Sequence, residues 1–422
     1  MSAFEKIIGY DSVKAELKML CDCWKHPDKY EKLGCKPPHG LLLSGEPGIG
    51  KTLFATCMIE ECGLPHFVCR KDKSNEAFLE ELKAGFENAK ASAPAILLLD
   101  DMDKFSNDSV EEHRDTEEYV AVQSLMDDAK ECGVYVIATV NCWYNLPSSL
   151  LRSGRFDVKI RMQMPQIEDT EKIIKHYLED KTYAFIDADL KDIAGILIDN
   201  SCADIASVVN EAALYAGYEN RGSVTKDDLI RACLRKFFEA PESYTEVSPE
   251  VRLRIAYHEA GHAVIAETLE PESVNLISIK ACDGDTGGVT SLRRNRDYWQ
   301  RVCYQENRIL ARLGGKAASE LVFGEVDAGF SCDMKNAINV LERFRDDYAA
   351  YGFDKRITHE SPSGIIEDAD RAVAEQLEEY YKKAKRILAE HRSFLDKLAK
   401  ELMDNETFLS SDIKRIRQSS DK

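Results

Sequence analysis

Apolar positions along the chain follow two rhythms, and the change from one to the other divides it. Over residues 10–33 apolar and charged positions alternate at helical spacing up to Gly34, with Pro37-Pro38 just beyond, so this stretch predicts a helix. Residues 40–44 (GLLLS) read as a buried strand, and short apolar runs follow at 66–70, 95–99, 134–140 and 158–162. Helical patterns separate these runs, which predicts an α/β module with a parallel sheet wound with helices. From 166 to 237 the pattern is helical throughout. Residues 199–204 cap a helix over 205–217, and a second helix follows 223–228, together a small helical lid. Pro241-Glu242-Ser243 marks a linker. Ser248-Pro249-Glu250 then starts a long helix with an N-cap, a proline at the first position and an acid in the first turn. Residues 368–417 predict two or three amphipathic helices whose expected role is packing. The expected divisions are therefore 1–165, 166–240 and a mainly α-helical 241–422.

Composition narrows the function classes. A net charge of −19 argues against nucleic acid or a membrane surface as partner, because the average field repels both. Thirteen cysteines, an odd number in no regular framework, read as reduced thiols of a cytoplasmic protein. The N-terminus enters amphipathic sequence directly and no run of eighteen apolar residues occurs, so neither a targeting segment nor a bilayer span is expected.

The first candidate chemistry follows the first strand at once. Gly45-Glu46-Pro47-Gly48-Ile49-Gly50-Lys51-Thr52 is a phosphate-binding loop between a strand and a helix that opens near Leu53. Its glycines let backbone N–H groups close around phosphates, Lys51 reaches the β/γ oxygens, and Thr52 ligates Mg²⁺. The run 95–99 ends in Asp100-Asp101, so the acids emerge where such sheets bind ligands. There Asp100 can hold the Mg²⁺ shell and Asp101 can orient the attacking water. Asn141 ends the run 134–140 at the same rim and can sense a γ-phosphate. Arg152 and Arg155 lie three apart on a turn, where arginines can act on phosphate bound to a neighbouring subunit.

The second candidate chemistry sits on the long helix. His258 and His262, four apart, share a face and can grip one Zn²⁺, while Glu259 is placed to take a proton from a metal-bound water. The helix pattern through Val251, Ile255, Ile265 and Leu269 puts apolar residues on the histidines' side. A catalytic zinc needs a third protein ligand. The best candidate is Asp333, at the opening of a helix after a glycine-containing loop, although spacing alone does not single it out.

The stretches ILLLDDMD, VIATVN, LLRSGRFD, ADIASVVNEAAL, AYHEAGHAV, Gly288-Val289-Thr290, LGGKAASELVFGE and SCDMKNA give a resemblance covering nearly the whole chain. It resembles the FtsH-type ATP-dependent zinc metalloproteases, in which an AAA+ ATPase ring feeds a peptidase ring. The resemblance implies His258, His262 and Asp333 as zinc ligands and Glu259 as catalytic base. It implies an ATP cycle carried by Lys51, Thr52, Asp100, Asn141, Arg152 and Arg155, with Ile7, Ile8 and Gly9 near the adenine. It further implies a homo-hexamer acting on protein substrates, with the two arginines as intersubunit fingers. The three regions then correspond to a large ATPase subdomain, its lid and a metallopeptidase domain.

Three departures qualify what the resemblance implies. The family's N-terminal membrane anchor has no counterpart, so the expectation is either a soluble relative or a chain begun after the anchor. Asp101 stands where the family has glutamate. A side chain about 1.5 Å shorter, at about a hundredfold in rate per ångström of misplacement, predicts slowed hydrolysis or a backbone shift that compensates. The aromatic substrate-gripping loop is not recognisable in 70–84, where Phe78 is the one aromatic, at a spacing that suits a helix core better than a pore. The leading expectation is an ATP-driven zinc endopeptidase. Two alternatives stand beside it, an ATP-gated peptidase for unfolded chains and a remodelling or scaffold ATPase with little proteolysis.

Overall fold

The computed structural model describes residues 2–105, 116–240, 248–280, 287–293, 301–346 and 363–420. These fall into two compact units, 1–181 with 198–210, and 182–197 with 211–422.

The first unit is a five-stranded parallel sheet, β1 (Gly40–Ser44), β2 (His66–Arg70), β3 (Ala95–Asp100), β4 (Val134–Val140) and β5 (Val158–Arg161), in the order β2-β3-β4-β1-β5. All five are the runs the apolar pattern marks. Helices cover both faces, so alternate residues of one run enter different cores. Leu41, Leu43, Ile96 and Leu98 pack with Phe4, Leu17, Trp24, Phe54 and Met58, beside α1 (Asp11–Lys25) and α3 (Lys51–Cys62). Leu42, Leu97 and Leu99 pack with Phe78, Leu82, Phe86, Tyr119 and Val122, beside α4 (Asn75–Ala91) and α5 (Glu117–Ala129). The central strands β1, β3 and β4 are buried on both faces and have no polar side to alternate with, which is why they read as continuous hydrophobic runs, whereas the edge strands β2 and β5 are largely exposed.

Two local expectations are corrected or settled. The helix expected over 10–33 is broken into α1 and α2 (Pro27–Glu31). Pro27 has no N–H to donate and forces His26 out of the helical region, to φ −130° and ψ 56°. Phe78 is fully buried on α4, its ring 4.6 Å from that of Phe105, so it is core and not a pore residue. The helix α6 (Ile167–Leu178) and the first part of α8 (Cys202–Tyr218) complete the unit, while α7 (Asp187–Ile196), between them in sequence, belongs to the second.

The second unit is built on α9 (Lys226–Phe238), α10 (Pro249–Leu269), α11 (Val302–Phe323), α12 (Ser331–Asp346), α13 (Ser363–Glu390), α14 (Arg392–Asn405) and α15 (Ser410–Ser420), together with α7. It also contains a sheet that the helical pattern does not announce. The antiparallel strands β6 (Val274–Ser278), β7 (Val289–Leu292) and β8 (Thr407–Leu409) pair in the order β7-β6-β8. The domain is still mainly helical, and no described helix is long and apolar enough to cross a membrane. The helices α10 and α11 meet backbone to backbone. A Cβ built on Gly261 would lie 2.3 Å from the Gly314 carbonyl oxygen, and one on Gly314 would lie 2.4 Å from that of Gly261. Only two glycines permit that approach. With α14 also packed against it, α10 is buried nearly all round from Ala256 to Glu267, not on one side as its spacing suggests.

Candidate functional site

In the first unit the phosphate loop leaves the C-terminal end of β1, and Gly50, at φ 92°, turns it into α3. Lys51 is buried and its Nζ donates to the carbonyls of Gly45 (2.7 Å) and Glu46 (3.0 Å) and to Asn141 Oδ1 (2.9 Å). Burial pushes its ammonium pKa down, and the nearby Asp103 and Asp101 oppose that shift. Asp100, at the end of β3, accepts from the hydroxyls of Thr52 (2.9 Å) and Thr139 (2.8 Å) and pairs with the Arg70 guanidinium. Burial works against its charge, but these donors hold its carboxyl below the usual range. Lys51 with Asn141 and Thr52 with Asp100 thus form two hydrogen-bonded groups that start from adjacent residues of α3.

The remaining residues of this group are placed less uniformly. Asp101 leaves the strand in the left-handed region at φ 54°, and its carboxylate accepts from Lys104 Nζ at 2.7 Å. Arg155 is held inside its own chain, donating through Nε (3.1 Å) and Nη2 (2.7 Å) to Asp127 and through Nη1 to the Ser149 carbonyl. Arg152, by contrast, is exposed. Ile7 is buried, and Gly9 lies against Asp169, which accepts from the Tyr10 N–H at 3.2 Å. Sequence reasoning misses Asp103, which accepts from the Asn141 N–H at 2.8 and 2.9 Å and whose carboxyl burial pushes up.

In the second unit three donors converge. His258 Nε2 and His262 Nε2 are 3.0 Å apart, and Asp333 Oδ2, at the start of α12, lies 3.4 Å from the first and 3.3 Å from the second. Tetrahedral ligands at about 2.1 Å from a zinc ion stand roughly 3.4 Å from one another, so this donor set fits the ion. His262 Nδ1 lies 2.7 Å from the Ala311 carbonyl, a bond that puts the proton on Nδ1 and turns the Nε2 lone pair inward. Burial disfavours a charged His262, but the Asp333 carboxylate raises its pKa to about 9. Against its own burial, Asp333 is held well below the carboxylate range by the two histidines. A cation replaces the proton such a site holds.

Glu259, on the same helix, is buried, and the Thr290 hydroxyl of β7 lies 2.7 Å from its Oε2. Thr290 fixes the carboxylate's direction, a role the spacing of the sequence does not reveal. Gly315 is a second unforeseen feature. A Cβ there would lie 2.5 Å from His258 Nε2 and 2.6 Å from His262 Nε2, in the space the donors face. The group opens into a cavity of about 480 Å³ lined also by Val289, Leu292, Arg308 and Arg312.

Comparison with known proteins agrees with both sites. Residues 41–164 match the ATPase family associated with various cellular activities (AAA), and residues 245–361 match peptidase family M41. The chain is 32% identical to the ATP-dependent zinc metalloprotease FTSH 1, chloroplastic, of Oryza sativa subsp. japonica, over 96% of this chain and 64% of the relative. It is 30% identical to ATP-dependent zinc metalloprotease FtsH of Thermus thermophilus, over 98% of this chain and 70% of the relative. With the Bacillus subtilis FtsH the identity is 29%, over 98% and 69%. The chain spans a little under two thirds of the length of the two plant relatives it matches at 64% and 62%. By its cofactor chemistry it is expected to use Zn²⁺ and ATP with Mg²⁺. It belongs to the FtsH family of ATP-dependent zinc metalloproteases.

Proposed function

We propose that the chain is an ATP-driven zinc endopeptidase acting on protein substrates. The observation that carries this reading is the convergence of His258, His262 and Asp333 beside a glutamate already oriented by Thr290. A bound zinc ion would polarise the scissile carbonyl and lower the pKa of the attacking water. Glu259 takes the proton of that water on its carboxylate and later passes it to the leaving amine. His262 keeps its orientation through Ala311, so the two imidazoles and Asp333 would hold the ion at the wall of the cavity. The outer edge of β7 lines the same cavity and suits an extended peptide pairing alongside it.

The ATP cycle is assigned to the first unit. Lys51 holds the β/γ oxygens, Thr52 and Asp100 hold Mg²⁺, Asn141 senses the γ-phosphate and Asp101 orients water, with Glu46, Pro47, Gly48, Ile49, Gly50 and Leu53 around the phosphates. The Lys51–Asn141 and Thr52–Asp100 hydrogen bonds support this reading. Ile7, Ile8 and Gly9 are assigned to the adenine. Residues 1–165, 166–240 and 241–422 are read as ATPase, lid and peptidase, assembled as a homo-hexamer. Arg152, exposed, is suited to reach a neighbour's phosphate, whereas Arg155 must first release Asp127. Free thiols at twelve described cysteines support a reducing, cytoplasmic setting. The family match does not favour the scaffold alternative.

The test compares a folded tagged domain with an unfolded protein, each with and without ATP. ATP-dependent loss of both is expected. Survival of the folded domain with loss of the unfolded one would replace the reading by an ATP-gated peptidase. Survival of both would refute proteolysis.

A further inference from the structure

Asn141 is exposed, so packing leaves its amide free to turn, and two neighbours of opposite kind set its direction. On one side Asp103 accepts from the Asn141 N–H at 2.8 and 2.9 Å and from its Nδ2 at 2.5 Å. On the other, Lys51 Nζ donates to Oδ1 at 2.9 Å. An ammonium only donates and a carboxylate only accepts, so the amide has one orientation here, oxygen to Lys51 and nitrogen to Asp103. Turned over, it would set donor against donor and acceptor against acceptor. Asp103 is held in place by its own turn, the short helix Met102–Phe105 directly after β3. Met102 and Phe105 are both fully buried, and the Tyr119 hydroxyl donates to the Met102 carbonyl at 3.1 Å. Burial pushes the Asp103 carboxyl pKa up, and the Asn141 N–H and the charge of Lys51 oppose that shift.

Lys51 cannot hold the amide and a phosphate without giving something up. Its three N–H groups are all engaged, by the Gly45 and Glu46 carbonyls and by Asn141, so a phosphate oxygen must replace at least one of them. Asp103 is outside the residues assigned to phosphate and Mg²⁺, and its hold on Asn141 does not depend on that exchange. We propose that Asp103 is a positioning residue of the ATP cycle, which fixes the polarity of the Asn141 amide and leaves its second Nδ2–H as the donor to a γ-phosphate oxygen. A carboxamide facing the phosphate with its oxygen would repel it. This inference rests on the ATPase reading of the first unit.

The experiment uses the full chain and measures ATP turnover, thermal unfolding, and affinity for ADP and for a non-hydrolysable ATP analogue. Asp103→Asn, which can present either a donor or an acceptor to the amide, is expected to lower kcat by at least about tenfold. Its affinity for the analogue should fall relative to wild type, while its affinity for ADP, which has no γ-phosphate, stays within about twofold. Asp103→Glu keeps the carboxylate and is expected between the two. In the Asn141→Ala background, Asp103→Asn should change kcat by no more than about twofold, because no amide remains to be turned. Asp103→Ser makes the same comparisons if the asparagine variant does not fold. Wild-type kcat in Asp103→Asn, or an equal loss of ADP and analogue affinity, would overturn the proposal. So would a further loss of about tenfold in the Asn141→Ala background, which would put Asp103 in the chemistry itself. Absence of ATP turnover and nucleotide binding in the unsubstituted chain would instead overturn the ATPase reading, and the inference with it.

Discussion

Replacing Gly315 by alanine is the sharpest perturbation of the zinc centre that touches none of its ligands. The new Cβ would sit 2.5 Å from His258 Nε2 and 2.6 Å from His262 Nε2, against an ordinary contact of about 3.5 Å. Something must retreat by about 1 Å, and metal–ligand distances tolerate only about 0.2 Å. α11 cannot take up the shift by sliding along α10, because Gly314 and Gly261 already meet backbone to backbone. The imidazoles must therefore swing away from the ion. Zinc affinity is expected to fall by about a hundredfold or more, at the upper end of what changes around metal ligands cost. Overpacking should also cost about 1–3 kcal/mol of stability. Zinc per chain after dialysis, chelator competition and thermal unfolding of the metal-free protein measure these separately. Gly217, in α8 with nothing within 4 Å of its Cβ position, is the control, and its alanine variant should bind zinc normally. Zinc affinity within about threefold of wild type in Gly315→Ala would refute the packing argument.

Other outcomes follow from single contacts. Thr290→Val removes the hydroxyl that orients Glu259, so kcat should fall by about tenfold with zinc content unchanged, measured on an unfolded peptide. Asp228, buried and paired with Arg221 at 2.5 Å, has its carboxyl pKa lowered by that partner against its own burial. Its contribution is therefore present above the unfolded value of about 3.9 and lost as pH falls through the lower folded value. Asp228→Asn should cost about 1–3 kcal/mol at pH 7, with a difference that shrinks in acid denaturation curves. Arg152→Ala should leave the melting temperature unchanged and lower the ATPase rate of the assembled protein by about a thousandfold, as loss of a finger does. Arg155→Ala should in addition lower the melting temperature, because it strips Asp127 of its paired donors.

Much of the first unit is legible because its central strands β1, β3 and β4 are buried on both faces. A run such as Ala95–Asp100 has no solvent side, so its apolar residues stand out whatever surrounds them. The second unit is less legible for the opposite reason. Its three-residue strand β8 pairs with β6 from far along the chain, and neither its length nor its pattern distinguishes it locally. The zinc site divides in the same way. His258, Glu259 and His262 are visible as a local helical motif, whereas Asp333 needed the family resemblance to stand out from the other acids. Thr290 and Gly315 act on that helix from 31 and 53 residues away, and no periodicity carries such a contact. Pro27 shows the reverse case, a local rule that the broader helical rhythm of 10–33 conceals.

Glu259 is the residue on which the proteolytic chemistry turns. In Glu259→Gln the zinc donors and the phosphate loop are untouched, so the variant should retain one zinc per chain and the wild-type ATPase rate. Its degradation of casein with ATP should fall by about a hundredfold or more, the loss of a general base. Casein degradation at the wild-type rate in that variant would contradict the assignment of the site.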